Sequence, residues 1–192
     1  MRRTTVVVVT LGVALAVQTV LAVDVKTDVD KMFDFKSVRT WAWNPKGAGD
    51  LRMARTKDDD PDAMRAQVEP IIMSTVTEEM GKRGLQPASG TPDVTVTYYL
   101  LLNTSTSSQT FGQFLPATAF WGVPPFDGQT QSLEVMNQGS LVLDLSAGEK
   151  VDQIIYRGVA RAKIRVGTER AQREKILREA VRDLVKKIPN KK

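Results

Sequence analysis

GSLVLDLSAGEKVDQIIYRGVARAKIRV, Gly139 to Val166, leaves the backbone little choice. Leu141, Leu143 and Leu145 alternate with other residues, the two-residue period of a strand. SAGEK supplies a turn, and a long second arm runs on to Val166. The stretch predicts a hairpin. An isolated hairpin is marginal in water, so the rest of the chain must add strands and a covering layer.

Both are written nearby. PDVTVTYYLLLN puts Val94, Val96, Tyr98, Leu100 and Leu102 on one face of another strand, and Thr95, Thr97, Tyr99 and Leu101 on the other. Arg39–Trp43 and the region of Val25 read as two more. Gly47 and Gly49 open a polar connection that KDDDP closes. Asp60-Pro61 starts a helix, because aspartate caps free amides and proline suits the first position. Met64, Val68, Ile72, Val76 and Met80 then recur every four residues. Pro70 lies inside that stripe and removes a donor, which predicts a kink or a helix that properly begins near it. Gly84 is its stop. TERAQREKILREAVRDLVKKIP predicts a second amphipathic helix, with Thr168 as cap and Leu177, Val181, Leu184, Val185 and Ile188 as apolar face. The order predicts an α+β fold: an antiparallel or mixed sheet of about five strands with two main helices packed on one face.

The first residues read as an export signal. Arg2 and Arg3 precede an apolar run from Val6 to Val17, and QTVLA ends at Ala22 with small residues where a signal peptidase requires them. The run is short of the ~20 apolar residues of a membrane span. The expected division is a signal peptide over 1–22 and one domain over 23–192, carrying a long aromatic-rich loop at 104–131. An uncleaved anchor is the alternative. The expected location is therefore periplasmic or secreted. Without Arg2 and Arg3, 25 basic residues face 22 acidic ones, a net of +3. That balance is far from the charge density of a nucleic-acid binder, so no nucleic acid is expected.

The chain has neither histidine nor cysteine. Catalytic triads, thiolate nucleophiles and zinc–thiolate sites are excluded. Dinucleotide, phosphate-loop and serine-hydrolase motifs are absent too, so no cofactor is expected. Catalysis by carboxylates alone would need two of them roughly 5–9.5 Å apart in a cleft. The acidic run DDDPD, Asp58 to Asp62, lacks the spacing of a calcium loop and reads as a solvated helix start.

Two aromatic groups stand out. Trp41 and Trp43 share a strand face and read as core, with a stacking platform as the alternative. Phe111, Phe114, Phe120, Trp121 and Phe126 crowd the long loop, which either folds over the sheet or offers anchors to a partner. Arg157, Arg161, Lys163 and Arg165 share a face of the last strand. They form a basic stripe that suits an anionic surface, or a solvated outer face and no more. These nine residues make up the candidate interaction surface.

DFKSVRTWAW, MGKRGL, PDVTVTYYL, GSLVLDL and IIYRGVARAKI, followed by a C-terminal helix ending in IP, together resemble the bacterial envelope family called domain of unknown function 4136. The resemblance covers nearly all of 23–192. It implies an exported cell-envelope protein, often a lipoprotein, with no established reaction and no catalytic residues to carry over. The lipid-accepting cysteine common in such proteins is missing here, which favours a soluble periplasmic form, with membrane association left open. The expected function is a non-enzymatic binding or structural module whose partner is an envelope protein or an anionic envelope component. A carboxylate-dependent hydrolase of envelope polymers is the alternative.

Overall fold

The computed structural model describes residues 23–53, 60–102, 109–110, 132–133, 138–164 and 168–189. In chain order its elements are β1 (Asp24–Val29), β2 (Thr40–Trp43), β3 (Gly49–Met53), α1 (Pro61–Lys82), β4 (Gln86–Pro87), β5 (Val94–Leu102), β6 (Gln109–Thr110), β7 (Ser132–Leu133), β8 (Gln138–Ala147), β9 (Ile154–Lys163) and α2 (Arg170–Lys187). The main sheet runs β1-β9-β8-β5-β2-β4, with β3 also on β5, and β6 pairs with β7 apart from it. The α+β class holds, and the sheet is mixed. It has seven strands rather than about five.

The two extra strands are β3 and β4. β3 lies in what the sequence offers as a polar connection. It follows β2 along the same edge of β5: Trp41–Trp43 stand opposite Val94–Val96, and Gly49–Met53 opposite Tyr98–Leu102, both in parallel. Between them the chain loops out through Gly47, whose φ of 134° suits glycine alone. Asn44 keeps the edge tied across that gap. Its amide donates to the Val96 carbonyl at 3.0 Å, and its Nδ2 donates to Thr97 Oγ1 at 3.2 Å. Gly49 has no side chain because the Tyr98 ring and carbonyl occupy the space a Cβ would take.

β8 and β9 form the expected hairpin, with Leu141, Leu143 and Leu145 opposite Ala160, Gly158 and Tyr156. The register then slips. Ser146 pairs with Ile154, so Ile155 is one residue too many on β9. The bulge sends Ile154 to the face of Ser146, while Ile155 joins the core with Tyr156. Strict alternation puts Ile154 and Tyr156 on one face, and the bulge corrects that.

α1 starts at Pro61 and runs through Pro70 as one helix. Asp60 Oδ1 accepts the amides of Asp62 and Ala63 at 3.0 and 3.1 Å. At the other end the Leu85 amide reaches back to the Met80 carbonyl and the Gly84 amide to Gly81. With Gly84 at φ 77°, this is a Schellman close. α2 begins one residue later than the expected cap. Glu169 holds the cap position and makes no side-chain capping bond.

The helices lie side by side on one face of the sheet. Arg178 Nη1 donates to Thr75 Oγ1 at 3.1 Å, Arg182 meets Glu79 at 3.5 Å, and Arg83 Nη1 donates to the Lys186 carbonyl at 3.3 Å. Both members of these pairs climb four residues at a time, so the helices run parallel. Ile72, Val76 and Met80 of α1 and Val181, Leu184 and Val185 of α2 are buried against Val94, Val96, Tyr98, Leu143, Leu145 and Tyr156. Each such side chain removed from water contributes about 1.5–3 kcal/mol. Gly158 lets α2 approach: a Cβ there would lie 2.7 Å from Leu184 Cδ2 and 2.6 Å from the Tyr156 hydroxyl, which itself donates to the Leu184 carbonyl at 2.7 Å.

Candidate functional site

The expected interaction surface divides. Phe111, Phe114, Phe120, Trp121, Phe126 and Arg165 lie outside the described residues, and Lys163 is described in its main chain only. Arg157 and Arg161 do share a face of β9, turned away from the helices. Yet Arg157 is 2% exposed and Arg161 half-buried. The solvated basic stripe is therefore corrected at Arg157. β8 sets Asp144 directly opposite it, and Arg157 Nε and Nη2 donate to Asp144 Oδ1 and Oδ2, each at 2.7 Å. A planar guanidinium matches a carboxylate two bonds at a time. Burial raises the Asp144 carboxyl above its ordinary value, and Arg157 opposes the rise. Burial also raises the neighbouring Tyr99 phenol, with the Asp144 charge adding to it. Val142, Val159 and Leu101 are buried on the same face. The pair ties β8 to β9.

Trp41 and Trp43 also separate. Trp41 is buried, with the core around it, while Trp43 is half-buried. Their rings meet edge to face at 5.5 Å, and Trp43 meets Tyr98 the same way at 6.5 Å. The rings are a stack turned into the fold, and the platform alternative loses Trp41.

A different place is open and chemically mixed. Parallel helices bring both carboxyl ends to one pole, where the 30–39 turn crosses them. A cavity of about 160 Å³ lies there. Its cationic wall is Lys36, Arg39 and Arg83, and its apolar wall includes Phe35, Val38, Leu85, Leu145 and Ile188. Among the described residues no carboxylate lines it. Arg83 sits just past the end of α1 and donates to the carbonyls of Lys186 and Ile188, at 3.3 and 2.6 Å, capping α2. Its Nε is buried with no partner. Burial draws its guanidinium below the ordinary value, opposed by Tyr156. Arg39 Nη1 donates to the Lys36 and Val38 carbonyls, both at 2.8 Å, which fixes the turn. The carboxylate that feels Arg39 is Asp93. It accepts the amides of Arg39 and Thr40 and the Thr40 hydroxyl, and those bonds hold it below its ordinary value.

Sequence reasoning missed this site because its cations come from two segments far apart in the chain, neither of them a charge cluster. The one local clue was MGKRGL, where an arginine stands immediately before the helix-stopping glycine. Among the described residues no group of His, Cys, Asp and Glu could hold a metal ion, and no helix is long and apolar enough to cross a membrane.

The family model for domain of unknown function 4136 matches residues 25–190. A crystal structure of a protein of that family from Bacteroides thetaiotaomicron is similar, at 18% identity and a TM-score of 0.47, over 85% of this chain and 94% of that one. A PDZ domain protein from Parabacteroides distasonis is similar at 14% identity and a TM-score of 0.49, over 89% of this chain. This chain spans 36% of that protein's length. A PelC dodecamer from Paraburkholderia phytofirmans is similar at 4% identity and a TM-score of 0.41, over 85% of this chain and 95% of that one. No curated protein matches.

Proposed function

The chain belongs to the family of domain of unknown function 4136, and from that premise we propose that it is a non-catalytic binding module of the cell envelope with an anionic partner. The observation that carries the reading is the cavity at the helix carboxyl ends, with three cations, an apolar wall and no carboxylate among the described residues. The buried acids add support. Asp30 accepts the Met32 amide at 2.8 Å, Glu79 accepts Lys82 Nζ at 2.9 Å, and Asp144 is held by Arg157. They stand in the turn after β1, on α1 and on β8, each with its own partner, whereas a hydrolase of the carboxylate type needs two that converge. The leader-like run from Arg2 to Ala22 supports export. The test is equilibrium binding of the purified chain to isolated envelope lipids and polymers at rising salt, with mass spectrometry of the supernatant. Binding should weaken as salt screens the charges, and no fragments should appear. Fragments that accumulate beyond the amount of protein would replace this reading with the hydrolase.

A further inference from the structure

We propose that the cavity between the 30–39 turn and the two helix carboxyl ends binds an amphiphilic anion: one carboxylate or phosphate head on a short apolar chain. The inference rests on the binding-module reading and names the class of ligand.

The charge argument comes first. Two helix carboxyl ends bring about half a negative charge each. The Arg83 guanidinium sits on the end of α2 and offsets that with a full positive charge. Lys36 and Arg39 remain, exposed, with no ion pair to a described carboxylate. Asp93 and Asp34 keep their negative charges close by, on the backbone amides of Arg39, Thr40 and Lys36, but neither lines the cavity, so the described charges that face it are positive.

Shape supplies the second half. A volume of about 160 Å³ admits a head group and a few methylenes and excludes a folded chain. The far wall, with Val38 at 7% exposure, Leu145 at 1% and Ile188 at 4%, is core side chain reached from outside. A bare inorganic anion would leave that wall wet. An alcohol of the same length would leave the cations without a counter-charge. Only a molecule with both parts satisfies both walls, since each methylene buried against the apolar wall adds to the affinity.

The walls are set in advance. Asp34 Oδ1 accepts the Lys36 amide at 2.9 Å, and the Ser37 hydroxyl donates to the Asp34 carbonyl at 2.7 Å. Phe33 and Phe35 pack edge to face at 4.9 Å behind them. The turn therefore holds Phe35 and Lys36 at the mouth without a ligand, and little order is left to be imposed on binding.

The experiment titrates the purified chain with octanoate below its micelle concentration and reads main-chain amide shifts by NMR. Octanol, inorganic phosphate and vesicles of phosphatidylglycerol are run in parallel. Saturable shifts at Gly84, Leu85 and Ile188 with octanoate, and none with octanol or phosphate alone, are the expected result. K36Q with R39Q should weaken octanoate roughly tenfold, the scale of two partly screened charges. Because Arg39 also bonds the turn, K36Q alone is measured beside it and should weaken binding less while leaving the melt unchanged. Vesicles that bind and compete with octanoate would place the anion on a lipid. Vesicles that do not would leave a free amphiphile. Shifts that never saturate, octanol matching octanoate, or K36Q and the double variant both binding like the parent would overturn the proposal. Any of these would leave the salt-sensitive envelope binding of the wider reading to stand or fall on its own measurement.

Discussion

At the scale of single residues, burial decides what a side chain is worth. Trp41 lies in the core, so Trp41→Ala should cost about 3–5 kcal/mol. Trp43 keeps part of its ring in water, so Trp43→Ala should cost less than half of that, and urea melts of the two variants check the order. The Asp144–Arg157 pair is more exacting. Arg157→Met strands a carboxylate at 2% exposure and should cost about 3–5 kcal/mol. Adding Asp144→Leu removes the stranded charge, so the double variant should be more stable than the single one. A double variant no better than Arg157→Met in urea would mean that the pair does not act as a unit. Asp93 gives the pH dependence. Its carboxyl is held below the ordinary 3.8 by the amides of Arg39 and Thr40. A carboxyl lowered on folding contributes stability that is whole above its unfolded value and is lost as pH falls through its folded value. Asp93→Asn should therefore melt lower than the parent at neutral pH, by about 1 kcal/mol for an exposed group. The gap should close as pH drops below 3.8, which melts across that window would show.

At the scale of elements, what could be read from the sequence was what repeats. β5, β8, β9 and the two helices each carry several turns of one period, and they stand where the pattern puts them. β3 carried only Leu51 and Met53 on a charged background, and β4 is two residues long. β3 exists because β5 offers it an edge and β4 because β2 does, which are tertiary facts. The same limit hid the Asp144–Arg157 pair. Each looked like a polar residue on an open strand face, and only the hairpin register brings them together across thirteen positions. The candidate cavity was less legible still, since its cations come from the turn after β1 and from the end of α1. The bulge at Ile155 had no signal, because an extra isoleucine in an apolar strand looks like any other. Pro70 is the element that contradicts its own propensity. It sits exposed inside α1, where it removes one backbone donor. Packing of Ile72, Val76 and Met80 below it outweighs that loss. Pro70→Ala restores the donor without touching the core and should raise stability by about 1–3 kcal/mol. A lower denaturation midpoint for Pro70→Ala would mean that the proline fits a bend the fold needs.

At the scale of the molecule, the layers are not equally secure. β8 is flanked by β5 and β9 and sits under the helices, while the face holding Asp144 is also buried. β1 pairs only with β9, and β3 only with β5 among the described strands. The first half of α1 touches the core through Met64 and Val68, both half-buried, whereas its second half sinks Ile72, Val76 and Met80 completely. Local opening costs least where few apolar contacts must be broken. Amide exchange should therefore rank the elements. β5, β8, β9 and the second half of α1 should exchange only with global unfolding and share one free energy. β1, β3 and the first turns of α1 should open sooner and independently of denaturant. The cavity lies between these classes: Leu145 and Ile188 belong to the slow body, and the 30–39 turn hangs from β1. A ligand that bridges the two would slow exchange in the turn and in β1 while leaving β8 at its ceiling. Measured with and without octanoate, protection that rose evenly over the whole chain would point to ordinary stabilisation of the fold. Protection confined to the turn and β1 would show the ligand joining the looser layer to the firm one.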